Sequence, residues 1–192
     1  MRSILFIFAA FIIAGCSRSL TEGEIAFLGT VHGQNVDYSK VKIAKGSKLA
    51  SNKGTGAVTI NNTITYRHDL YSENFAPKDT QYIDELALLA HEMTHVWQKQ
   101  NKELTGYTYA KVIAEHAKYG ERVYEYPPLK SDSEFLSFRY EQQGQIVGDW
   151  IMARALDPKK AKIYEKVIGR AIPLNRFLSE AYRNYEALRS DS

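Results

Sequence analysis

The chain has 192 residues and a formal charge of +3, from 25 basic and 22 acidic side chains. The basic residues are scattered rather than clustered, so the composition argues against a nucleic-acid partner. Cys16 is the only cysteine, which excludes a disulfide within the chain, and stability must therefore come from packing or from a bound metal.

The N-terminal residues 1–15 predict a signal peptide. A short basic stretch precedes an apolar run over residues 4–15, which is too short to span a bilayer, since that takes about 20 residues. The order Ile-Ala-Gly-Cys that ends at Cys16 is similar to the lipobox of bacterial lipoproteins, in which the cysteine is acylated. Ser17 follows it, and by analogy with Gram-negative lipoproteins this favours the outer membrane. The alternative is an ordinary secretion signal with an incidental free cysteine.

Residues 16–40 show no clear hydrophobic periodicity, and we expect them to hold the lipidated cysteine and a tether to the membrane. From Val41 the pattern becomes typical of strands. Apolar and β-branched residues flank Asn61 and Asn62, a pair that tolerates the positive φ of a tight hairpin turn. The pattern predicts a small antiparallel sheet between residues 41 and 71.

Helices are predicted downstream of the sheet. The first begins near Asp79, where Asp79 or Thr80 can cap it, and its apolar residues recur at three- and four-residue steps. Further helices are expected at about 108–118, at about 134–156 and, in one or two pieces, at 159–189. A sheet followed by helices, without βαβ alternation, predicts an α+β domain over residues 41–192.

The first helix contains two histidines four residues apart, in the sequence His-Glu-Met-Thr-His. Side chains at this spacing share one face of a helix, so His91 and His95 can direct two nitrogens at a zinc ion about 2 Å from each. Glu92 is rotated by about 100° and can take a proton from a water that the metal activates. The alternative is a core helix that carries two packed histidines.

A third metal ligand is expected from the predicted helix at 134–156. The long motif form that supplies a third histidine is excluded, because Gln98 and Asn101 stand where it needs a glycine and a histidine. Glu141 shares one side of the later helix with Gly144 and Gly148. Glycines cost a helix about 1 kcal/mol each relative to alanine, so two on one face indicate that another backbone comes close. The same approach would bring Glu141 to the metal.

Other polar side chains are assigned supporting roles. Asp149 or Gln145 can bind the outer nitrogen of a ligand histidine and orient its ring. His116 and Tyr140 are candidates for stabilising an oxyanion. If Glu141 is instead a solvated residue of the first helical turn, another group must complete the metal site. The alternative third ligands are His116, Glu134 and Asp149.

Two segments together resemble a known family. His-Glu-Met-Thr-His-Val-Trp-Gln at 91–98 and Glu-Gln-Gln-Gly-Gln-Ile-Val-Gly-Asp-Trp at 141–150 are similar to small gluzincin-like metallopeptidase domains, the minigluzincins, including HExxH domains described as Vgr-related. The resemblance covers about residues 40–156 and implies a zincin-like fold. Gly144 and Gln145 depart from the family pattern, which has alanine and often an acid there. The implied zinc ligands are His91, His95 and Glu141, with Glu92 as the general base.

The sequence therefore predicts a zinc-dependent hydrolase, a small metallopeptidase of the bacterial cell envelope. Its substrate is a peptide or protein, and a lipid on Cys16 holds it to the outer membrane. The alternative is a zinc-binding envelope or assembly module without catalysis. Glu92 argues against that alternative, because a structural zinc site has a closed ligand shell and needs no base. A third possibility is hydrolysis of a non-peptide bond in cell-wall material, which uses the same metal chemistry.

Overall fold

The computed structural model describes residues 17–46, 56–75 and 83–172. The predicted signal peptide and Cys16 lie outside the described residues, as do the start of the first predicted helix near Asp79 and the last helical segment beyond Ile172. Within the described ranges, every helix is too short or too polar to cross a bilayer.

Four short strands form one mixed sheet in the order β1-β2-β4-β3. They are β1 (Ser17–Ser19), β2 (Lys42–Lys45), β3 (Ala57–Ile60) and β4 (Thr63–Tyr66). β1 pairs antiparallel with β2, and β3 with β4, whereas β2 and β4 run parallel. The prediction of an all-antiparallel sheet is therefore wrong. The pattern of each strand is local, but which strand of the β3–β4 hairpin lies next to β2 depends on tertiary packing.

The hairpin itself forms where the sequence predicts it. Asn61 has a φ of 59°, in the left-handed region that asparagine tolerates better than most residues. The turn sets Ile60 opposite Thr63 and leaves β3 at the edge of the sheet. This edge strand packs on the helix carrying the histidine pair.

Helix α1 (Glu22–His32) lies in the segment that we expected to be a tether. Thr21 caps it, since its Oγ1 accepts a hydrogen bond from the Glu24 backbone N–H at 3.2 Å while Glu24 Oε2 accepts one from the Thr21 N–H at 2.8 Å. Leu28 and Val31 are fully buried in the core. Residues 17–40 thus belong to the fold. Their Thr-x-x-Glu capping box is the sequence signal that indicates a helix start here.

A buried ion pair fastens β1 to α1. Arg18 donates two hydrogen bonds to the Glu24 carboxylate, at 2.8 and 2.7 Å. Glu24 is fully buried and also accepts from the Phe75 backbone N–H at 2.9 Å. One carboxylate therefore connects β1, the start of α1 and the chain that follows β4.

The remaining helices follow the sheet, which confirms the α+β class. They are α2 (Ile83–Gln100), α3 (Lys102–Thr105), α4 (Tyr109–Tyr119), α5 (Tyr140–Leu156) and α6 (Pro158–Ile168). α5 begins later than the predicted 134–156, because Phe138 and Arg139 are extended and the Gln142 side chain caps the Arg139 N–H at 2.9 Å. α2 is the central helix and contacts α5, β3 and α1.

Candidate metal centre

Three side chains converge where α2 meets the first turn of α5. His91 Nε2 and His95 Nε2 lie 3.3 and 3.2 Å from Glu141 Oε2, and the two nitrogens are 3.2 Å apart. All three residues are buried, with 6 to 8% of their surface exposed. Among the described residues, these three side chains form a group whose donor atoms lie close enough together to hold a metal ion.

The triangle of donor atoms has the dimensions of a zinc site. Zinc binds imidazole nitrogen and carboxylate oxygen at about 2.0 to 2.1 Å, so two donors of a tetrahedral site are about 3.3 Å apart. The three observed separations of 3.2 to 3.3 Å match one face of that tetrahedron. Two imidazoles and one carboxylate also leave the fourth position free, as catalytic zinc sites with three protein ligands do.

Two glycines of α5 permit this convergence. A Cβ on Gly144 would lie 2.8 Å from His91 Nε2, closer than real Cβ contacts come. A Cβ on Gly148 would lie 3.2 Å from the backbone oxygen of Ala87 on α2. The glycine face therefore lets α5 reach α2 closely enough for Glu141 to meet the histidines, as the sequence spacing predicts.

The electrostatics of the site centre on the Glu141 carboxylate. Burial alone would raise the pKa of Glu141, but the charge of His95 and hydrogen bonds from the surrounding histidines hold that pKa well below its ordinary value. Burial lowers the pKa of His95, yet the charge and hydrogen bond of Glu141 outweigh it and raise this pKa to about 9. The site therefore holds an ionised carboxylate that favours a positively charged partner, either a protonated histidine or a metal ion.

Glu92 lies next to this group, on the side of the sheet. Its Oε2 accepts a hydrogen bond from Thr59 Oγ1 at 2.7 Å, and Thr59 belongs to the edge strand β3. Glu92 is 5% exposed, and its charge helps to raise the pKa of His95. The contact with Thr59 was not predicted, because only the packing of β3 on α2 brings these residues together.

Gln98 supports His95, a role that the sequence analysis did not assign. His95 Nδ1 lies 2.9 Å from Gln98 Oε1. The Gln98 amide nitrogen donates to the Tyr140 carbonyl and to Gln143 Oε1, both at 3.0 Å, which leaves Oε1 as the acceptor facing His95. In the neutral ring that a metal would need, the hydrogen of His95 therefore sits on Nδ1 and leaves the lone pair of Nε2 for the ion. The signal was present: Gln98 follows His95 by three residues on one helix.

Asp149 and Gln145 lie elsewhere. Gln145 donates to Asp149 Oδ1 at 2.7 Å, and Asp149 Oδ2 accepts from the Tyr126 hydroxyl. These residues stand one and two turns beyond Glu141 along α5, past the histidines, so the hydrogen bonds that they make do not orient the ligands. Glu134 is exposed and pairs with Arg170, so the structure does not place it as an alternative ligand.

The two residues suggested as oxyanion stabilisers differ in position. His116 Nε2 lies 2.8 Å from Glu141 Oε1, and its pKa is raised, first by this hydrogen bond. Tyr140 points away, because its hydroxyl donates to the Gly106 carbonyl at 2.8 Å and its ring packs on Tyr107. Of the pair, only His116 borders the metal centre.

A cavity of about 630 Å³ adjoins the site. Tyr124 connects the two, since its ring centroid lies 6.0 Å from that of His91 and 6.1 Å from that of His116 while it also lines the cavity. Tyr126 and Tyr164 also line the cavity. Tyr124 is therefore shared between the surroundings of the histidines and an aromatic depression that is lined by the 120s segment and α6.

Comparison with known proteins gives three matches. The family described as the eCIS core domain matches residues 26–103, which include strands β2, β3 and β4 and helix α2. The type VI secretion system spike protein VgrG2b of Pseudomonas aeruginosa is 30% identical over 145 residues, which are 73% of this chain and 13% of VgrG2b. The effector domain of P. aeruginosa VgrG2b superposes with a TM-score of 0.59 at 26% identity, covering 84% of this chain and 88% of that domain.

These matches correct the family inferred from the sequence. They point to a fold related to contractile injection systems, and the assignment to the gluzincins is wrong. The HExxH pattern and a downstream glutamate identify a set of metal ligands. Different families can share that set, so it does not identify the family to which the whole chain belongs. The α+β class stands, whereas the comparisons give no support to a zincin-like architecture. The chain is similar to the effector domain of VgrG2b over most of the length of that domain.

Proposed function

We propose that the chain is a zinc-dependent hydrolase that cleaves peptide bonds and acts as an effector module related to secretion systems. The observation that carries the proposal is the buried triangle of His91, His95 and Glu141, with Glu92 adjacent on the same helix. The triangle fits zinc and leaves a position free, and a structural zinc site would need a fourth protein ligand. The similarity to the VgrG2b effector domain supports the secretion-system setting.

Each residue of the site has a defined task in this proposal. Zinc, when bound, supplies a Lewis acid that polarises a carbonyl and lowers the pKa of water. Glu92 accepts the proton of the attacking water and delivers it to the leaving amine. Gln98 fixes the tautomer of His95. Tyr124 and the adjoining cavity receive the chain of a peptide or protein substrate.

The location is proposed on sequence grounds. The lipobox-like residues before Cys16 would place the domain at the cell envelope, on the outer membrane of a Gram-negative bacterium. The relative that matches the chain comes from a Gram-negative organism. Palmitate labelling of the wild type and of Cys16→Ser tests the anchor: label on the wild type alone supports it, and label on neither rejects it.

The alternative function is a zinc-binding assembly module that does no chemistry. The similarity to a spike protein favours it, because a spike is a structural part of a secretion apparatus. In that case the metal centre stabilises the fold, and the Glu92 carboxylate serves only as a buried acceptor for Thr59.

Metal analysis combined with peptide cleavage separates the two functions. The variants are Glu92→Gln, which removes the base, and His91→Ala, which removes a ligand; His68→Ala, at an exposed histidine away from the site, is the matched control. We expect one zinc per chain in the wild type, Glu92→Gln and His68→Ala, and cleavage of a peptide library only by the wild type and His68→Ala. Zinc in every variant except His91→Ala, with no cleavage by any of them, would establish the assembly module instead.

A further inference from the structure

We propose that His116 is a positioning residue that makes Glu141 a one-oxygen metal ligand and so keeps a coordination position free. This inference rests on the proposed zinc site. It concerns how the site stays open, which the three ligands alone do not determine, because a carboxylate can bind a metal through one oxygen or through both.

The two oxygens of Glu141 are used differently. Oε2 faces the histidine pair, 3.3 Å from His91 Nε2 and 3.2 Å from His95 Nε2. Oε1 lies 2.8 Å from His116 Nε2, which donates to it because an ionised carboxylate has no hydrogen to give. Binding of the ion by Oε1 as well would weaken this charge-assisted hydrogen bond, because the metal would draw electron density from the accepting oxygen and pull it away from His116. His116 therefore opposes two-oxygen binding, which would fill the fourth position of a tetrahedral site.

His116 is held in place by a second contact between the same two helices. The neighbouring Glu115 accepts a hydrogen bond from the Tyr140 backbone N–H at 3.1 Å, so it caps the start of α5. Adjacent residues of α4 thus bind adjacent residues of α5, one through the backbone of Tyr140 and one through the side chain of Glu141. The ring of Tyr124 packs against His116 with a centroid separation of 6.1 Å and limits its rotation.

The geometry distinguishes this role from that of a fourth ligand. Among the described residues, the donor atoms that lie within 4.8 Å of one another belong to His91, His95 and Glu141. His116 is bonded to the oxygen of Glu141 that faces away from this group. Its side chain is 41% exposed, whereas those of the three ligands are at most 10% exposed.

The test compares His116→Ala and His116→Gln with the wild type in the full chain. Zinc affinity is measured by competition with a chromogenic chelator, and coordination by the visible absorption spectrum of the Co²⁺-substituted protein. We expect His116→Ala to bind zinc about 10- to 100-fold more weakly, as is typical for loss of a hydrogen-bond partner of a ligand. Its Co²⁺ absorption should weaken, because two-oxygen binding raises the coordination number. His116→Gln, whose amide can donate to Oε1, should restore most of the affinity and the spectrum.

Two results would overturn the proposal. If His116→Ala keeps both the wild-type affinity and the wild-type spectrum, the hydrogen bond has no effect on the site. If His116→Gln loses as much affinity as His116→Ala and its Co²⁺ spectrum changes in the same way, the hydrogen bond is not what His116 contributes. His68→Ala controls for the loss of a histidine. If the affinities and spectra respond as expected but no peptide is cleaved, the positioning role stands and only the proposed hydrolase activity fails.

Discussion

The hydrogen bond between His95 and Gln98 gives the clearest single-residue prediction. Gln98→Leu removes the acceptor of His95 Nδ1 while keeping a buried side chain of similar length. The imidazole can then adopt the tautomer with hydrogen on Nε2, so zinc affinity should fall about 10- to 100-fold in a chelator competition. Gln145→Leu is the matched control, since Gln145 binds Asp149 instead. A larger effect of Gln145→Leu than of Gln98→Leu would contradict the assignment.

Thr59 should affect catalysis without affecting metal binding. Thr59→Val removes the hydroxyl that binds Glu92 Oε2 at 2.7 Å and preserves the shape of the side chain. We expect kcat for peptide cleavage to fall about tenfold, equivalent to about 1.4 kcal/mol and thus to one hydrogen bond, because Glu92 becomes less restricted. Zinc content should not change, and Thr59→Ser should retain activity. A loss of zinc in Thr59→Val would show a structural effect instead.

The residues around the metal differ in how far the sequence could predict them. His91, His95 and Glu92 stand at fixed offsets on one helix, and the glycines beside Glu141 mark the partner helix, so these four residues could be singled out from the sequence. Gln98 stands three residues after His95, so the same helical spacing places it beside that ligand. The contacts of Thr59 and His116 cannot be predicted from the sequence, because they depend on how β3 packs against α2 and how α4 packs against α5.

At the scale of the elements, the contact between α2 and α5 depends on the size of two residues. Gly144→Ala places a methyl group 2.8 Å from His91 Nε2, and Gly148→Ala places one 3.2 Å from the Ala87 oxygen. Alanine favours a helix over glycine by about 1 kcal/mol, but overpacking costs about 1 to 3 kcal/mol, so we expect a net loss of stability at both positions. Gly144→Ala should also weaken zinc binding, because the ring of a ligand must shift.

Gly29→Ala is the control for helix propensity. Gly29 lies inside α1, and a Cβ there would meet nothing within 4 Å. The substitution should therefore raise the free energy of unfolding by about 0.5 to 1 kcal/mol, measured by urea titration. If alanine changes the free energy of unfolding equally at Gly29, Gly144 and Gly148, the two α5 glycines are not needed for the close approach of α5 to α2.

The elements also show where local patterns stop being informative. The Asn61 turn, the end of α5 at Leu156 and the course of α4 follow from turn residues, a following Asp-Pro pair and capping, all of which are local. The parallel pairing of β2 with β4 joins residues whose proximity no local signal indicates. α1 was overlooked because its outer face is as apolar as its inner one: Ile25 is 37% exposed.

At the scale of the whole molecule, His32 makes the stability of the fold dependent on pH. It is fully buried between α1 and α2, with Nε2 3.1 Å from Thr94 Oγ1, and burial lowers its pKa from 6.5 to about 3. Above about pH 6.5 the ring is neutral in both the folded and the unfolded chain. As the pH falls towards 3, only the unfolded chain takes up the proton, so the free energy of unfolding falls by up to roughly 4 to 5 kcal/mol.

The contribution of His32 can be isolated by substitution. His32→Gln keeps a donor for Thr94 and does not titrate, so its free energy of unfolding should decline less steeply than that of the wild type between about pH 6.5 and pH 4. Urea titrations in the presence of a chelator exclude effects of metal loss, and His68→Gln is the exposed control. Parallel curves for the wild type and His32→Gln would show that His32 does not remain neutral in the folded protein.

The ion pair between Arg18 and Glu24 limits the movement of the N-terminal strand relative to the core. Ser17 is the residue next to position 16, and it already belongs to a strand that a fully buried carboxylate holds to the core. One residue of chain spans at most about 3.6 Å. If Cys16 carries the proposed lipid, little chain separates that anchor from the core of the domain. A domain anchored in this way would meet its proposed substrates close to the membrane surface.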